Sequence, residues 1–275
     1  FESEFVGRLP VRAVFEHLTE DDLYQILKNP NNPIVLGKKL DFASYGIEVK
    51  FEDQLLRMLA KHAFAENTGA RGLVSAVEKA LLDFERKLPS SGINKFPATK
   101  AIVDHPAAFL KTITAESKKQ ATHQLFDRLI QQEKDSIKNY LQDNQKSMAE
   151  KYNLTMTPSR IDIVAACYTK STLDISRVIK KIKSHYDDVK KIELTFFKNH
   201  DINIVLEEDA IDFIIEKLIE SPLEFKDVND KIDQDFQHGL KLAREKTSRN
   251  RFFITRQALL DPEGYVSELI RDQIK

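Results

Sequence analysis

The residues best suited to chemistry lie in one short run, Thr68-Gly69-Ala70-Arg71-Gly72-Leu73. It separates two stretches of helical periodicity. Residues 52–66 carry Leu55, Leu56, Leu59, Ala60, Ala63 and Phe64 on one face, and residues 73–88 carry Leu73, Val77, Leu81 and Phe84 at helical steps. Gly69 can take a positive φ and so close the first helix, which sets Arg71 in the first turn of the second. The helix dipole disfavours a cation there by roughly 0.3–1 kcal/mol on an exposed surface. The placement makes sense if an anion comes to it, because free first-turn N–H groups and a forked guanidinium then converge on a phosphate. The competing reading is a surface arginine that merely follows a turn. A second arginine, Arg8, follows Gly7 and precedes Leu9-Pro10, so its backbone is irregular and local.

The surrounding pattern predicts the scaffold. Thr19 caps a helix whose first turn is acidic (Glu20, Asp21, Asp22) and whose buried face is Leu23, Ile26 and Leu27. Residues 29–33, Asn-Pro-Asn-Asn-Pro, stop it, and a second helix covers 34–45. Ile47, Val49 and Phe51 alternate with Glu48 and Lys50, the pattern of a half-buried strand. Residues 90–92 break the chain after the Arg71 helices, and 99–103 are expected to form a second strand.

Three runs of this part resemble one family when taken together: EFVGRLPV (4–11), GIEVKFED (46–53) leading into an alanine-rich helix, and TGARGL (68–73). In this order and spacing they are similar to the C-terminal part of the AAA+ unfoldase ClpX and its Clp-family relatives, over residues 1 to about 91. The resemblance implies a lid domain that packs beside a nucleotide bound to the protein's own AAA+ large domain. It implies that Arg71 is the sensor-2 residue, touching nucleotide phosphate within its subunit. Arg8 would be an arginine finger for the neighbouring subunit of a ring, a hexamer in the parent. Leu18 falls where the family sets an apolar residue against adenine, and it reads equally well as an ordinary core leucine. The implied cofactor is ATP or ADP with Mg2+ in the parent, and the implied partners are protein substrates and a peptidase or adaptor.

Composition narrows the alternatives. A chain of 275 residues with a formal charge of −1 has no basic field to draw nucleic acid. No apolar run is long enough for a membrane helix. The single cysteine, Cys167, sits in an apolar run and reads as a packing residue, which fits a reducing, cytoplasmic setting. The seven histidines show no metal-ligand spacing, so no metal site is expected. The basic run 241–256 lacks interleaved stacking aromatics beyond Phe252 and Phe253 and reads as a solvated surface. No Gly-x-x-x-x-Gly-Lys-Ser/Thr loop or acidic strand end is present, so this stretch alone is not expected to hydrolyse ATP. The chain opens on phenylalanine and its family likeness begins mid-motif. Both features mark it as a piece of a longer protein.

Residues 112–152 contain neither glycine nor proline and carry a narrow apolar stripe, which predicts one long amphipathic helix, broken at most once, packed as an arm. Beyond it the first pattern returns. A shift of 152 sets Arg8 on Arg160 and Leu23 on Ile175, and Leu40 and Phe42 on Ile192 and Leu194. A shift of 155, after three inserted residues before Asp201, sets Ile47, Val49 and Phe51 on Ile202, Ile204 and Leu206. A shift of 156 sets Phe96 on Phe252. The expected fold class is α+β, predominantly helical: an AAA+ lid (1–106), a long helical connector (107–157) and a degenerate second lid-like domain (158–275). In the second copy the Arg71 turn becomes Glu224-Phe225-Lys226-Asp227. Both glycines are lost and acids flank a lysine that cannot make a fork. Two functions follow: the nucleotide-sensing lid of an ATP-dependent Clp-type unfoldase with an extension for assembly or docking, or a non-catalytic interaction module that reuses the lid fold.

Overall fold

The computed structural model describes residues 17–271. The chain divides between Ile130 and Gln131 into two compact units.

In the first unit, helix α1 (Glu20–Lys28) opens on a reciprocal cap. The Asp22 amide donates to Thr19 Oγ1 at 3.1 Å, and the Thr19 amide donates to Asp22 Oδ2 at 2.8 Å. After the Asn-Pro break, Asn32 accepts the Ile34 amide at 2.7 Å and Pro33 starts α2 (Pro33–Ser44). Strand β1 (Glu48–Phe51), the helical hairpin α3 (Asp53–Ala65) and α4 (Ala70–Lys87), and strand β2 (Lys95–Ala98) follow, then α5 (Ala101–Asp104) and α6 (Pro106–Thr114). The strands pair in parallel, Glu48 opposite Lys95 through Phe51 opposite Ala98. The core is sealed by aromatic rings, with Phe96 at 5.2 Å from Phe84 and 5.3 Å from Phe42, all three buried. Tyr24 joins this core, where the apolar pattern had pointed only to Leu23, Ile26 and Leu27; Ile26 is partly buried.

The second strand lies four residues earlier than the expected 99–103. The Glu48 amide donates to the Asn94 carbonyl and the Glu52 amide to the Ala98 carbonyl, so even-numbered residues of β2 bond to β1. Pro97 therefore turns its missing N–H to the outer edge, where it costs no ladder bond. Thr99 and Lys100 lead into α5 instead, and the Lys100 amide is held by Glu52 Oε2 at 2.9 Å.

The expected long helix is broken twice, not once at most. Ala115 is extended and ends α6, a 3-10 turn covers Glu116–Lys118, and α7 (Lys119–Asp143) is separated from α8 (Gln145–Tyr152) at Asn144. The sequence offered no breaker here. A change of core does not explain these breaks: α7 runs unbroken across the division at Ile130, and Leu141 and Met148, on either side of Asn144, both join the second core.

The second unit contains α9 (Pro158–Thr169), α10 (Ile175–His200), β3 (Asn203–Leu206), α11 (Glu208–Glu220), α12 (Phe225–Thr247), β4 (Arg251–Ile254), α13 (Arg256–Leu260) and α14 (Pro262–Arg271). From β1 onward its element order repeats that of the first unit. The strand, helix, helix and strand of the first run 4, 13, 18 and 4 residues, and those of the second 4, 13, 23 and 4. This sheet is also parallel, with Ile204 opposite Phe252. Before the strand the units differ, because α10 is one continuous helix where α1 and α2 are split at Asn29-Pro30. Ile192 is buried and Leu194 exposed, whereas Leu40 is exposed and Phe42 buried. The inserted residues therefore enter earlier than just before Asp201. Cys167 packs at the edge of this core. Among the described residues no helix is long and apolar enough to cross a membrane.

Candidate functional site

The turn between α3 and α4 is built from two left-handed residues with different tasks. Helix α3 is closed by Asn67 at φ 51°, not by Gly69. Gly69, at φ 64° and ψ −146°, caps the start of α4 in a region open essentially to glycine alone. Arg71 is then the second residue of α4. That helix start has no side-chain cap and no acid in its first turn. Arg71 is exposed and, among the described residues, makes no side-chain hydrogen bond or ion pair. The positive end of an 18-residue helix and an exposed arginine thus lie within one turn of each other.

Gly72 holds this arrangement against α3. A Cβ there would stand 2.7 Å from Thr68 Oγ1, 3.0 Å from the Ala63 carbonyl oxygen and 3.3 Å from Ala63 Cα. The hydroxyl can swing away but the Ala63 backbone cannot. Gly72→Val is expected to lower stability by about 1–3 kcal/mol through overpacking, read as a lower melting midpoint by circular dichroism.

Phe64, expected on the buried face of α3, is 45% exposed, because it lies round the helix beyond the face set by Leu55, Leu59 and Ala63. Leu18 is 37% exposed, just ahead of the Thr19 cap, and belongs to neither core. Arg8 lies outside the described residues. Among the described residues no group of His, Cys, Asp and Glu could hold a metal ion.

The equivalent helix start in the second unit is closed by its own acids. Lys226 is the second residue of α12, as Arg71 is of α4. Here Glu224 and Asp227 form a reciprocal cap, with the Glu224 amide donating to Asp227 Oδ2 at 3.0 Å. An incoming phosphate would meet two carboxylates that repel it.

Arg160, the counterpart of Arg8 in the repeat, is fully buried. Its Nε and Nη2 donate to Asp212 Oδ1 at 2.9 and 2.6 Å, its Nη2 also to Glu208 Oε2 at 2.7 Å, and its Nη1 to the Thr155 carbonyl. Thr157 Oγ1 donates to Asp212 Oδ2 at 2.7 Å, and Tyr186 stacks on the guanidinium at 4.9 Å while donating to Glu208 Oε1 at 3.1 Å. Burial first, and the Glu208 carboxylate second, push the Tyr186 phenol up to about 12. Every group here has a partner, so the cluster fastens α9, α10 and α11 and leaves no donor for a ligand. Sequence reading missed it. The available signal was Asp212 inside the apolar run Ala210-Ile211-Asp212-Phe213-Ile214-Ile215, since an acid on a buried face calls for a cation.

Comparison with known proteins agrees with the first unit. Residues 18–93 match the model of the C-terminal, D2-small domain of ClpB protein. The ATP-dependent Clp protease ATP-binding subunit ClpX of Borrelia duttonii is 42% identical over 98 residues, 35% of this chain and 23% of that protein. That of Treponema denticola is 37% identical over 87 residues, 32% of this chain and 21% of its own. The mitochondrial ATP-dependent clpX-like chaperone of Saccharomyces cerevisiae is 34% identical over 101 residues, 37% and 19% of the two chains. The matched part is an AAA+ small domain, the C-terminal lid of that class. Within that class it is similar to the C-terminal part of ClpX-like proteins of the Clp/Hsp100 family. The aligned region spans only about a fifth of the length of these relatives.

Proposed function

We propose that Arg71 contacts a phosphate of a nucleotide carried by the AAA+ large domain of the parent protein. The chain then supplies the nucleotide-sensing lid of an ATP-driven, Clp-type unfoldase. The observation that carries this reading is a solvent-exposed arginine with no partner among the described residues, beside an uncapped helix start. The donor set fits a phosphate: a planar fork of N–H groups, first-turn amides and no nearby first-turn acid. Bound ATP with Mg2+ would supply the phosphoryl group and its charge. Arg71 would orient one phosphate and stabilise the charge that spreads over its oxygens, while the lid excludes water. Arg8 would serve as the finger of a neighbouring subunit in a ring, a hexamer in the parent, and Leu18 would offer an apolar contact to adenine.

The functional division we propose is a lid over residues 1–106, a connector over 107–157 and a second, degenerate lid over 158–275. Its helix start is sealed by Glu224 and Asp227, so the second lid keeps the core without the site. Its role would be assembly, or docking of a protein substrate, adaptor or peptidase. That same sealed start favours the second reading, a non-catalytic interaction module. Because Ile113 belongs to the first core, the deletion that separates these roles begins after Ile130. Removal of 131–275 from the parent should leave ATP hydrolysis within about twofold while changing its sedimentation or the set of proteins it retains, a shift of order RT in barrier. Unchanged assembly and partner choice would refute the docking role.

Arg8 is testable in mixed rings. Arg8→Ala alone should abolish hydrolysis, and a hydrolysis-dead subunit that keeps its own arginine should restore activity to its Arg8→Ala neighbour. Arg71→Ala should not be rescued in this way, since sensor 2 acts within its own subunit.

A further inference from the structure

The two sheets differ in what covers their outer faces. In the first unit Val49, Phe96 and Ala98 face the core, so Glu48, Lys50, Lys95 and Pro97 form the opposite face. That face is covered: Lys50 is only 3% exposed and Pro97 is buried. Lys95 reaches α7, with its ammonium 5.4 Å from the centroid of the fully buried Phe126 ring and 3.5 Å from Asp127 Oδ1. Lys95, on this face, is thus met by a helix that presents an aromatic ring and, next to it, an acid.

In the second unit Ile204, Leu206, Phe252 and Ile254 face the core, which leaves Asn203, Val205, Arg251 and Phe253 outside. By register Arg251 stands where Lys95 stands and Phe253 where Pro97 stands. Among the described residues this face is largely open, with Val205 half-buried. Phe253 is 48% exposed, Asn203 and Arg251 are exposed, and Arg251 touches only the Phe253 ring, at 5.2 Å. Among the described residues Arg251 has no acidic partner. The other edge of this sheet is already served, as Glu193 accepts the Leu206 amide at 2.8 Å.

We infer that the outer face of the β3–β4 sheet is a docking site for an amphipathic helix of a partner protein that carries an aromatic residue followed by an acid. The acid would pair with Arg251 and the ring would pack on Phe253 and Val205, the chemistry by which Phe126 and Asp127 meet Lys95 on the first sheet. A cation beside an exposed ring favours this occupant over a purely apolar one, since a buried guanidinium without a carboxylate is costly.

The probe is a fluorescein-labelled peptide of residues 119–133 of this chain, which contains the Phe126-Asp127 pair, titrated with the intact 275-residue chain. Saturable binding is expected, weakened at least tenfold by Arg251→Glu and by Phe253→Asp. Circular dichroism melts of both variants serve as the folding control. A peptide carrying Asp127→Arg should bind the wild-type chain poorly and recover affinity for Arg251→Glu. No saturable binding, or binding that ignores both substitutions, overturns the proposal. So does sedimentation showing that the chain dimerises and that Phe253→Asp dissolves the dimer, which would assign the face to a second copy instead.

Discussion

Arg71→Ala in the full-length parent is expected to lower ATP turnover by roughly 10²–10³-fold, the loss seen when one preorganised donor to a developing oxyanion is removed. The side chain is exposed and makes no ion pair or hydrogen bond among the described residues, so its removal breaks nothing in the fold. Folding stability should therefore stay within about 0.5 kcal/mol of the wild type. This separation makes the experiment decisive. A structural arginine would lose stability with activity, and an idle surface arginine would lose neither. Arg71→Lys should fall between, because an ammonium keeps the charge and gives up the planar fork. Steady-state hydrolysis at saturating ATP, with urea unfolding of the same preparations, reads both quantities. Wild-type turnover in Arg71→Ala would exclude the sensor-2 role.

The second large effect concerns stability. Asp212→Ala is expected to cost about 3–5 kcal/mol, because it leaves the buried Arg160 guanidinium without its main counter-charge. Asp212 is 2% exposed and accepts two bonds from Arg160 and one from Thr157. Glu208 cannot replace it, since its side chain is 44% exposed and already bonded to Arg160 and Tyr186. Replacing both members, Arg160→Met with Asp212→Leu, should recover most of the loss, because well-packed apolar groups avoid the desolvation of two charges. Chemical unfolding of the single and double variants measures the coupling. An Asp212→Ala variant within 1 kcal/mol of wild type would show that water reaches Arg160, contrary to its burial.

The two arginines that the repeat aligns, Arg8 and Arg160, illustrate how far a sequence carries a site. Nothing in the residues around Arg160 separates an arginine for a ligand from one for a buried clamp. The difference is made by Asp212, which lies 52 positions away and is brought beside it by the packing of α11 on α9. The helix starts are the opposite case. Whether a dipole end is open or sealed is settled by residues within one turn, so Gly69-Ala70-Arg71 against Glu224-Phe225-Lys226-Asp227 was legible directly.

What the amino-acid order alone determined is local: the Thr19 cap, the break at Asn29-Pro30, strand β1, the α3–α4 hairpin around Arg71 and the return of a strand, two helices and a strand after residue 201. Each rests on neighbours within a few positions, where propensity and hydrogen bonding suffice. Only the tertiary structure decided the position of β2, the breaks at Ala115 and Asn144, the burial of Arg160 and the difference between the covered and largely open sheet faces. These depend on which distant surface a segment meets. A strand needs a partner edge, and a charge is buried only where a remote carboxylate arrives to receive it.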